Sequence, residues 1–464
     1  MTHLETRADS CKWLNSPELN VNQHANHVEH QSNAKVYNNI LEAVGHTPMV
    51  RLNKIPQSFG LKCEILVKCE YLNPGGSVKD RISLRMVEDA EKAQLIKPGY
   101  TLIEATSGNT GIGLSLVAAV KGYDMIITLP EKMSQEKVNV MKGLGAQVIR
   151  TPTEAASSSP ESNFSLAKRI KESMANSLIL DQFSNLSNPL AHYDHTAVEI
   201  AEQCQGKLDF FFAGTGTGGT MTGCASRLKE LFPNCKCVGV DPVGSQMAEP
   251  AELNNVKTGY HIEGIGYDFI PNTLKRSFVD SWVKVHDKEA FDIARRLIKE
   301  EGLLVGGSSG SAVAGAIQYA LKNNLDENHR LVVILPDSVR NYVNKFLDDD
   351  WMTDKGFLSN EIYLNKESKL YGKRVKELNL EAINYFEKNL TVGHALELFT
   401  KGAEIVPIME DRKVVGVLYA NKILGPIQKK NLSQEDTIER CICKDYALVN
   451  CEVFLLKITL FRLT

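Results

Sequence analysis

The chain has 464 residues, enough for about three domains of ~150 residues and for a large core without disulfide or metal staples. Its 53 Lys plus Arg against 56 Asp plus Glu leave a net charge of −3. This excludes an overall positive charge that would attract nucleic acid or an anionic membrane surface. No apolar run reaches the ~18 residues of a membrane span. The ten cysteines form no framework and the N-terminus lacks a signal peptide, so we predict a reducing compartment, the cytoplasm.

The first two segments of the chain differ in pattern. Residues 1–44 show little apolar periodicity, and we interpret them as an arm rather than a domain. From Gly45 to about Phe346, short β-rich runs alternate with helical stretches. The predicted strands are Glu64–Lys68, Thr101–Glu104, Met125–Thr128, Val148–Arg150, Ser177–Asp181, Asp209–Ala213, Cys237–Asp241 and Leu331–Leu335. Many are continuously apolar, which is typical of parallel strands covered on both faces, so a layered α/β fold with right-handed crossovers is predicted.

The C-terminal part of the chain follows a different pattern. Residues 351–366 are predicted to be a linker and residues 367–464 a separate unit. In that unit Thr391–Lys401 is predicted to be a helix, with strands at Glu404–Met409 and Val414–Tyr419. These elements make one small βαββα-like module.

A glycine-rich turn at Asn73–Gly76 carries the first chemical signal. It leads into a helix predicted over Arg81–Leu95, so Lys79 lies near a helix N-terminus, where the macrodipole disfavours a cation by up to ~1 kcal/mol. A desolvated lysine with a lowered pKa is what imine chemistry requires. The structural alternative is a solvated surface lysine beside Asp80.

Three further loops join a strand to an apolar helix and are rich in Gly, Ser and Thr: Glu104–Gly113, Phe212–Thr220 and Gly306–Ser311. Such loops place hydroxyl and N–H groups around an anion-sized space, although ordinary N-capping would also use these residues. Together with one lysine they indicate a phosphorylated cofactor that carries an aldehyde.

A competing interpretation concerns the Phe212–Thr220 loop alone. It satisfies the dinucleotide fingerprint, Gly214-x-Gly216-x-x-Gly219, with Asp241 about 20 residues further on. An NAD-dependent dehydrogenase therefore stays open as an alternative, although it does not explain the other two loops.

Four motifs together carry a resemblance to a known family: Ser77–Arg81, Thr106–Thr110, Gly216–Thr220 and Gly264–Phe269. They closely resemble the fold type II pyridoxal-phosphate enzymes, over roughly residues 40–350. The resemblance implies a three-layer αβα core of the tryptophan synthase β type for residues 45–350. It also implies a homodimeric lyase that acts on small molecules, without a nucleic-acid or membrane partner.

Within this family the chain is most similar to the members of the transsulfuration route of cysteine biosynthesis. These condense L-serine with L-homocysteine to cystathionine and water, with hydrogen sulfide production from cysteine as a side reaction. A cysteine synthase that combines O-acetylserine or serine with sulfide remains an alternative, as does a catalytically silent sensor protein.

The resemblance implies roles for individual residues. Lys79 looks like the lysine that forms a Schiff base with pyridoxal phosphate and removes the α-proton of the substrate. Asn109 is similar to the residue that bonds the phenolic oxygen of the cofactor, and Ser308 to the hydroxyl that faces its pyridine nitrogen. The implied phosphate cradle comprises Gly216, Thr217, Gly218, Gly219 and Thr220. The implied substrate-binding residues are Thr106, Ser107, Thr110, Gln182, Gly264 and Tyr267.

The two ends of the chain resemble accessory units of the family. Cys11 and His24 match the axial ligands through which some members bind haem in an N-terminal arm. The arginine that usually meets the haem thiolate is replaced by Ser226, with Arg227 adjacent. Residues 367–464 resemble one complete regulatory module of the Bateman type, with a second repeat that is incomplete. A complete pair can bind S-adenosylmethionine, whereas half a pair lacks one wall of that site, which argues against S-adenosylmethionine binding.

Overall fold

The structure, a computed structural model, describes residues 36–106, 108–131, 133–152, 155, 159–358, 386–401, 405–410, 413–419 and 433–442. Most of the predicted arm, including Cys11 and His24, lies outside the described residues, and so does Ser107.

Strands and helices alternate along the main part of the chain. The strands are β1 (Met49–Arg51), β2 (Glu64–Cys69), β3 (Thr101–Ala105), β4 (Asp124–Pro130), β5 (Gln147–Thr151), β6 (Ser177–Ile179), β7 (Phe210–Gly214), β8 (Lys236–Pro242), β9 (Ser281–Val285) and β10 (Arg330–Leu335). The helices are α1 (Lys54–Ser58), α2 (Lys79–Lys92), α3 (Asn109–Lys121), α4 (Gln135–Gly143), α5 (Asn163–Ser173), α6 (Ser187–Ala191), α7 (Ala197–Cys204), α8 (Gly219–Leu231), α9 (Asp287–Glu301), α10 (Gly307–Lys322) and α11 (Asp349–Asp354), with a π-helical turn at His192–Thr196.

These strands form two sheets. The larger has the order β1-β2-β10-β7-β8-β9 and the smaller the order β5-β4-β3-β6. Every pairing in them is parallel except that of β1 with β2. The predicted α/β class is therefore confirmed, and all eight predicted strands are present. The sequence analysis missed β1 and β9, the two edge strands of the larger sheet, because neither contains a continuous apolar run.

The larger sheet is covered by helices on both faces. Successive residues of a strand point to opposite faces, so Phe210 and Phe212 of β7 pack in one cluster, with residues of α9 and α10. Phe211, between them, packs in a second cluster with residues of α7 and α8. This double burial explains the continuous apolar runs in the sequence.

The predicted linker at 351–366 is wrong in its first part. Residues 349–354 form α11, whose N-terminus is capped by the Asp348 carboxylate, and Met352 is completely buried. The Trp351 ring lies 5.5 Å from that of Phe291, and the Phe357 ring lies 5.2 Å from it. Because these aromatic rings gain apolar burial against α9, the segment 351–358 packs on the core, with Met352 inside it.

The C-terminal unit contains the predicted elements. Helix α12 (Val392–Thr400) accompanies a sheet of the order β11-β12-β13, formed by Phe386–Glu387, Ile405–Glu410 and Lys413–Tyr419. The helix and both longer strands match the prediction to within one residue at each end. The sequence analysis missed β11, which has only two residues.

None of the helices in the described ranges is long and apolar enough to cross a lipid bilayer.

A buried network of charges anchors α2. The Arg81 guanidinium donates to Glu70 and to Glu199, each at 2.7 Å. Lys68 Nζ donates to the other oxygen of Glu199 at 2.7 Å and to the Thr47 carbonyl at 2.6 Å. Burial by itself would raise the pKa of Glu70, but the charge of Arg81 and its hydrogen bonds outweigh burial and hold that pKa below its ordinary value. The network therefore fixes the first turn of α2 to β2 and α7.

Because the network is buried, we predict that Arg81→Met lowers the free energy of unfolding by about 3–5 kcal/mol, since it leaves Glu70 as a buried carboxylate without its main partner. The measurement is urea-induced unfolding. Lys288→Met is the control, because it breaks an exposed pair with Asp292 that contributes about 0.5 kcal/mol or less. Equal losses in the two variants would contradict the prediction.

Candidate active site

Lys79 lies at the junction of α2 with the end of β10. The Ser77 hydroxyl accepts the Lys79 backbone N–H at 3.2 Å, and the Val78 N–H donates to the Pro336 carbonyl at 2.8 Å. The lysine lines a small cavity together with Val78, Asn109, Thr110, Gln182, Thr217, Gly264, Tyr267, Ser308 and Pro336. The fold thus brings the lysine and all three Gly-, Ser- and Thr-rich loops to one place.

The surroundings of Lys79 favour its neutral amine. Burial lowers the pKa of its ammonium from 10.5 to about 8, against the opposing effect of the Asp337 carboxylate. The neighbouring Asp80 gives no solvated ion pair, because its carboxyl is buried and accepts the Gly75 N–H at 2.5 Å. The alternative of a solvated surface lysine is therefore wrong.

The loop between β7 and α8 forms a backbone cradle that only glycine permits at three positions. A Cβ at Gly216 would lie 2.3 Å from the Gly264 carbonyl oxygen, and one at Gly218 would lie 2.4 Å from Leu274 Cβ. At Gly219 it would lie 1.8 Å from the side-chain oxygen of Asn188. Helix α8 starts at this loop, and the N–H groups of a first helical turn have no partner within the helix. The cradle therefore fits a phosphate group.

A second group of polar residues surrounds the start of α3. The Thr110 hydroxyl donates to Gln182 Oε1 at 2.6 Å, and the Thr106 hydroxyl oxygen accepts the Gly108 N–H at 3.1 Å. The Gln182 backbone N–H is bonded to the Glu104 carboxyl at 3.0 Å. These contacts hold Thr110 and Gln182 at the edge of the cavity, which suits recognition of a small polar substrate.

Tyr267 lies where the small cavity meets a larger one. A cleft of about 680 Å³ shares Gly264 and Tyr267 with the small cavity and also takes in Thr106. The Tyr267 ring packs edge-on against Phe183, with centroids 5.3 Å apart, and lies 5.2 Å from Phe269. The Gly264–Phe269 loop therefore forms one wall of the passage between the two cavities.

The sequence analysis assigned no role to three residues that orient Asn109. Its Nδ2 donates to Asp337 Oδ2 at 2.8 Å, and its Oδ1 accepts from Asn341 Nδ2 at 3.2 Å. The Tyr342 hydroxyl donates to the same Asp337 oxygen. Their position directly after β10 was a usable signal, since ligands of parallel sheets bind at the carboxyl ends of strands.

Lys137 and Glu263 were also missed. Lys137 is 1% exposed and donates to Glu263 Oε2 at 2.8 Å and to the Tyr342 hydroxyl at 3.0 Å. A Cβ at Gly108 would lie 2.4 Å from Lys137 Cδ, so the side chain passes directly under the loop that precedes α3. A lysine in a helix gives no sequence signal that distinguishes this position from a solvent-exposed one.

The dinucleotide interpretation of Gly214–Gly219 is wrong. The carboxylate it requires, Asp241, is completely buried and accepts a hydrogen bond from Lys284 Nζ at 2.6 Å. It is not free to bind a ribose hydroxyl.

Comparisons with known proteins agree with this geometry. The sequence model of the pyridoxal-phosphate dependent enzyme family matches residues 40–337. Cystathionine beta-synthase of Dictyostelium discoideum is 53% identical over 411 residues, which cover 87% of this chain and 82% of that protein. The enzyme of that name from Oryctolagus cuniculus is 50% identical over 439 residues, 94% of this chain and 79% of the relative. The crystal structure of a hydrogen sulfide-producing enzyme from Fusobacterium nucleatum matches with a TM-score of 0.62 and 38% identity, over 66% of this chain and all of that one.

The fold and the match to this family model define a pyridoxal-phosphate dependent enzyme of fold type II. Within this class, two relatives of the same name are 50% or more identical to this chain over most of its length. The chain belongs to the cystathionine beta-synthase family.

The cradle geometry generates a prediction. Gly219→Ala pushes a methyl group into the Asn188 side chain, so we expect the affinity for pyridoxal phosphate to fall by at least about tenfold, the cost of about one hydrogen bond. The measurement is titration of the apoenzyme with the cofactor. Gly143→Ala is the matched control, because a Cβ there meets nothing within 4 Å. Unchanged affinity in Gly219→Ala would show that this loop does not hold the cofactor.

Proposed function

We propose that the protein condenses L-serine with L-homocysteine to form cystathionine and water, with pyridoxal phosphate as cofactor. One observation carries this: a lysine with a lowered pKa lines the same cavity as Thr217 of the glycine cradle and the polar side chains of Thr110 and Gln182. The names of the relatives, at 50% identity or more, supply the substrate pair.

Pyridoxal phosphate, when bound, supplies an aldehyde for amine capture and a ring that stabilises negative charge at the substrate α-carbon. Lys79 would hold the cofactor and then act as the general base at that carbon. A pKa of about 8 leaves a useful fraction of its amine unprotonated near neutral pH, and this is the condition for proton removal.

Two residues would orient the cofactor ring. Asn109 presents an amide whose orientation is fixed by Asp337 and Asn341, which suits a contact with the phenolic oxygen. Ser308, at the start of α10, would face the pyridine nitrogen. A neutral hydroxyl there leaves the ring a weaker electron sink than a carboxylate would, so negative charge stays near the α-carbon and loss of the β-hydroxyl is favoured.

The substrate carboxylate would bind at the Thr106 hydroxyl, at the backbone N–H of Thr110 in the first turn of α3 and at Gln182, together with Ser107, which lies outside the described residues. Because Gln182 Oε1 accepts from Thr110, its Nε2 group is the donor on the other side of the amide. One of its N–H bonds reaches the Ala105 carbonyl at 3.4 Å and the second is available to a carboxylate.

Gly264 and Tyr267 would contact the second substrate. They line both cavities, so a thiol that enters through the larger cleft passes them on its way to Lys79. The same passage admits cysteine, and hydrogen sulfide production is proposed as a side reaction. The structural neighbour from Fusobacterium nucleatum, described as hydrogen sulfide-producing, supports it.

The proposal predicts that the purified protein forms cystathionine from serine and homocysteine, measured by mass spectrometry of the product. Lys79→Ala removes both the anchor and the base, so turnover should fall by at least about 10²–10⁴-fold, the usual contribution of a positioned acid–base group. Borohydride treatment followed by peptide mapping should place a pyridoxyl label on Lys79. Lys97→Ala is the control, because Lys97 is an exposed lysine after α2.

Formation of cysteine from sulfide at a higher rate than cystathionine from homocysteine would favour the cysteine synthase alternative. Absence of turnover with either acceptor would favour a silent sensor.

We further propose that the N-terminal arm binds haem through Cys11 and His24. The support is the sequence pattern, since a thiolate and an imidazole are competent axial ligands and both residues lie outside the described ranges. Within the described ranges, no group of three or more His, Cys, Asp or Glu side chains could hold a metal ion. The test is the Soret band of the purified protein, which Cys11→Ala should shift or abolish and Cys63→Ala, a buried core cysteine, should leave unchanged.

The remaining proposals concern organisation and location. We propose a homodimer, and we propose that residues 367–464 form a regulatory module of the Bateman type. The sheet and helix of the C-terminal unit support the module. The seven cysteines within the described ranges are buried free thiols, which supports a reducing compartment such as the cytoplasm.

A further inference from the structure

Two buried side chains without an assigned role, Asn188 and His192, lie directly behind the phosphate cradle. Asn188 is 1% exposed and lies in α6, and His192 is fully buried at the start of the π-helical turn that follows. They are four residues apart, so they lie on one helix face, against the first turns of α8. A Cβ at Gly219 would collide with Asn188, and one at Gly223 would lie 2.8 Å from His192 Cβ.

Each of the two side chains is bonded to one threonine of the cradle. Asn188 Nδ2 lies 2.9 Å from the Thr217 hydroxyl oxygen, and His192 Nε2 lies 3.2 Å from the Thr220 hydroxyl oxygen. On its far side, His192 Nδ1 lies 2.9 Å from the Thr196 hydroxyl. Both threonines are therefore supported from behind by a polar group that has no access to solvent.

The direction of the bond from Asn188 follows from its second partner. The same Nδ2 group lies 2.7 Å from the Gln182 backbone carbonyl, which can only accept. Nδ2 must therefore be the amide nitrogen, and it donates to Thr217. A hydroxyl that already accepts from behind has its own proton free, and Thr217 lines the cavity.

The direction of the bond from His192 depends on its tautomer. Burial, together with the charges of Arg81 and Lys79, lowers the pKa of its imidazolium well below 6.5, so the ring is neutral and carries one N–H. If that N–H were on Nδ1, Nε2 would consume the only proton of Thr220. If it is on Nε2, Thr220 accepts from the ring and keeps its proton for another acceptor.

A phosphate group near neutral pH is almost purely an acceptor of hydrogen bonds, so a cradle hydroxyl contributes only when its proton points inward. We propose that His192, as the Nε2–H tautomer, and Asn188 are positioning residues that commit the hydroxyls of Thr220 and Thr217 to donate to the phosphate of the cofactor. This inference rests on the proposed function, which places pyridoxal phosphate in the cradle. Thr196 completes the arrangement by donating to Nδ1.

The first test reads the tautomer directly in the wild-type protein. Nitrogen NMR of the holoenzyme, labelled with ¹⁵N-histidine, reports which ring nitrogen of His192 carries the proton, and the resonance is assigned by its loss in His192→Gln. A proton on Nε2 is expected. A proton on Nδ1 would overturn the proposal for His192.

The second test is a double-mutant cycle on cofactor affinity. His192→Leu should raise the dissociation constant of pyridoxal phosphate by about tenfold, the worth of one hydrogen bond, whereas His192→Gln, which keeps an N–H near the Nε2 position, should stay within about threefold of the wild type. If His192 acts through Thr220, His192→Leu should cost nothing further in a Thr220→Val background. Fully additive losses would mean that His192 only fills space.

Two further readouts separate positioning from a general structural effect. The ³¹P resonance of the bound cofactor should shift in His192→Leu and not in His192→Gln, while the KM for serine at saturating cofactor stays unchanged. Tyr193→Phe is the control on the neighbouring residue, whose hydroxyl donates to Glu230 at the surface.

A wild-type protein that binds no pyridoxal phosphate would refute the proposed function itself. A wild type that binds it no more tightly than His192→Leu would refute only this inference.

Discussion

The constraint on which the site depends is the placement of one amine, that of Lys79, in a poorly solvated position at a helix N-terminus. Desolvation and the helix dipole both destabilise its charged form, and the negative charge of the Asp337 carboxylate partly offsets these two effects. The balance sets the pKa of the amine near 8, where it can serve as nucleophile and base. A closer carboxylate would keep the amine protonated.

The desolvated amine of Lys79 stays in place only if its surroundings are rigid. The backbone before Lys79 is bonded to the end of β10, and Arg81, two residues further along, is held by Glu70 and Glu199. The buried charges therefore hold the helix two residues away from Lys79. Their attraction fixes the helix, while the Lys79 amine forms no salt bridge with the residues that the structure describes.

Around the cofactor site, too, the residues that would touch the ligand differ from the buried residues that hold them in place. Asn109, Thr217 and Thr220 would touch the cofactor, and each is oriented by a buried residue behind it, respectively Asp337, Asn188 and His192. Polar groups buried in this way are costly unless their hydrogen bonds are made, so they specify one orientation of the residues in front of them. Three glycines allow these supporting side chains to approach the backbone closely: Gly306 meets Asp337, Gly219 meets Asn188 and Gly223 meets His192.

The sequence by itself determined the α/β class, eight of the ten strands of the two main sheets, and Lys79 with the three polar loops as the candidate site, because continuous apolar runs and glycine-rich turns are local signals. The tertiary structure alone decided that the segment 351–358 packs on the core, that Asp241 is bound to Lys284, and that Asp337, Lys137 and His192 lie behind the site. These facts depend on contacts between residues far apart in the chain. The residues adjacent in the sequence do not determine whether a charged or polar side chain is solvated or buried against a partner. Tertiary contacts determine it, because they depend on which distant segments the fold brings together.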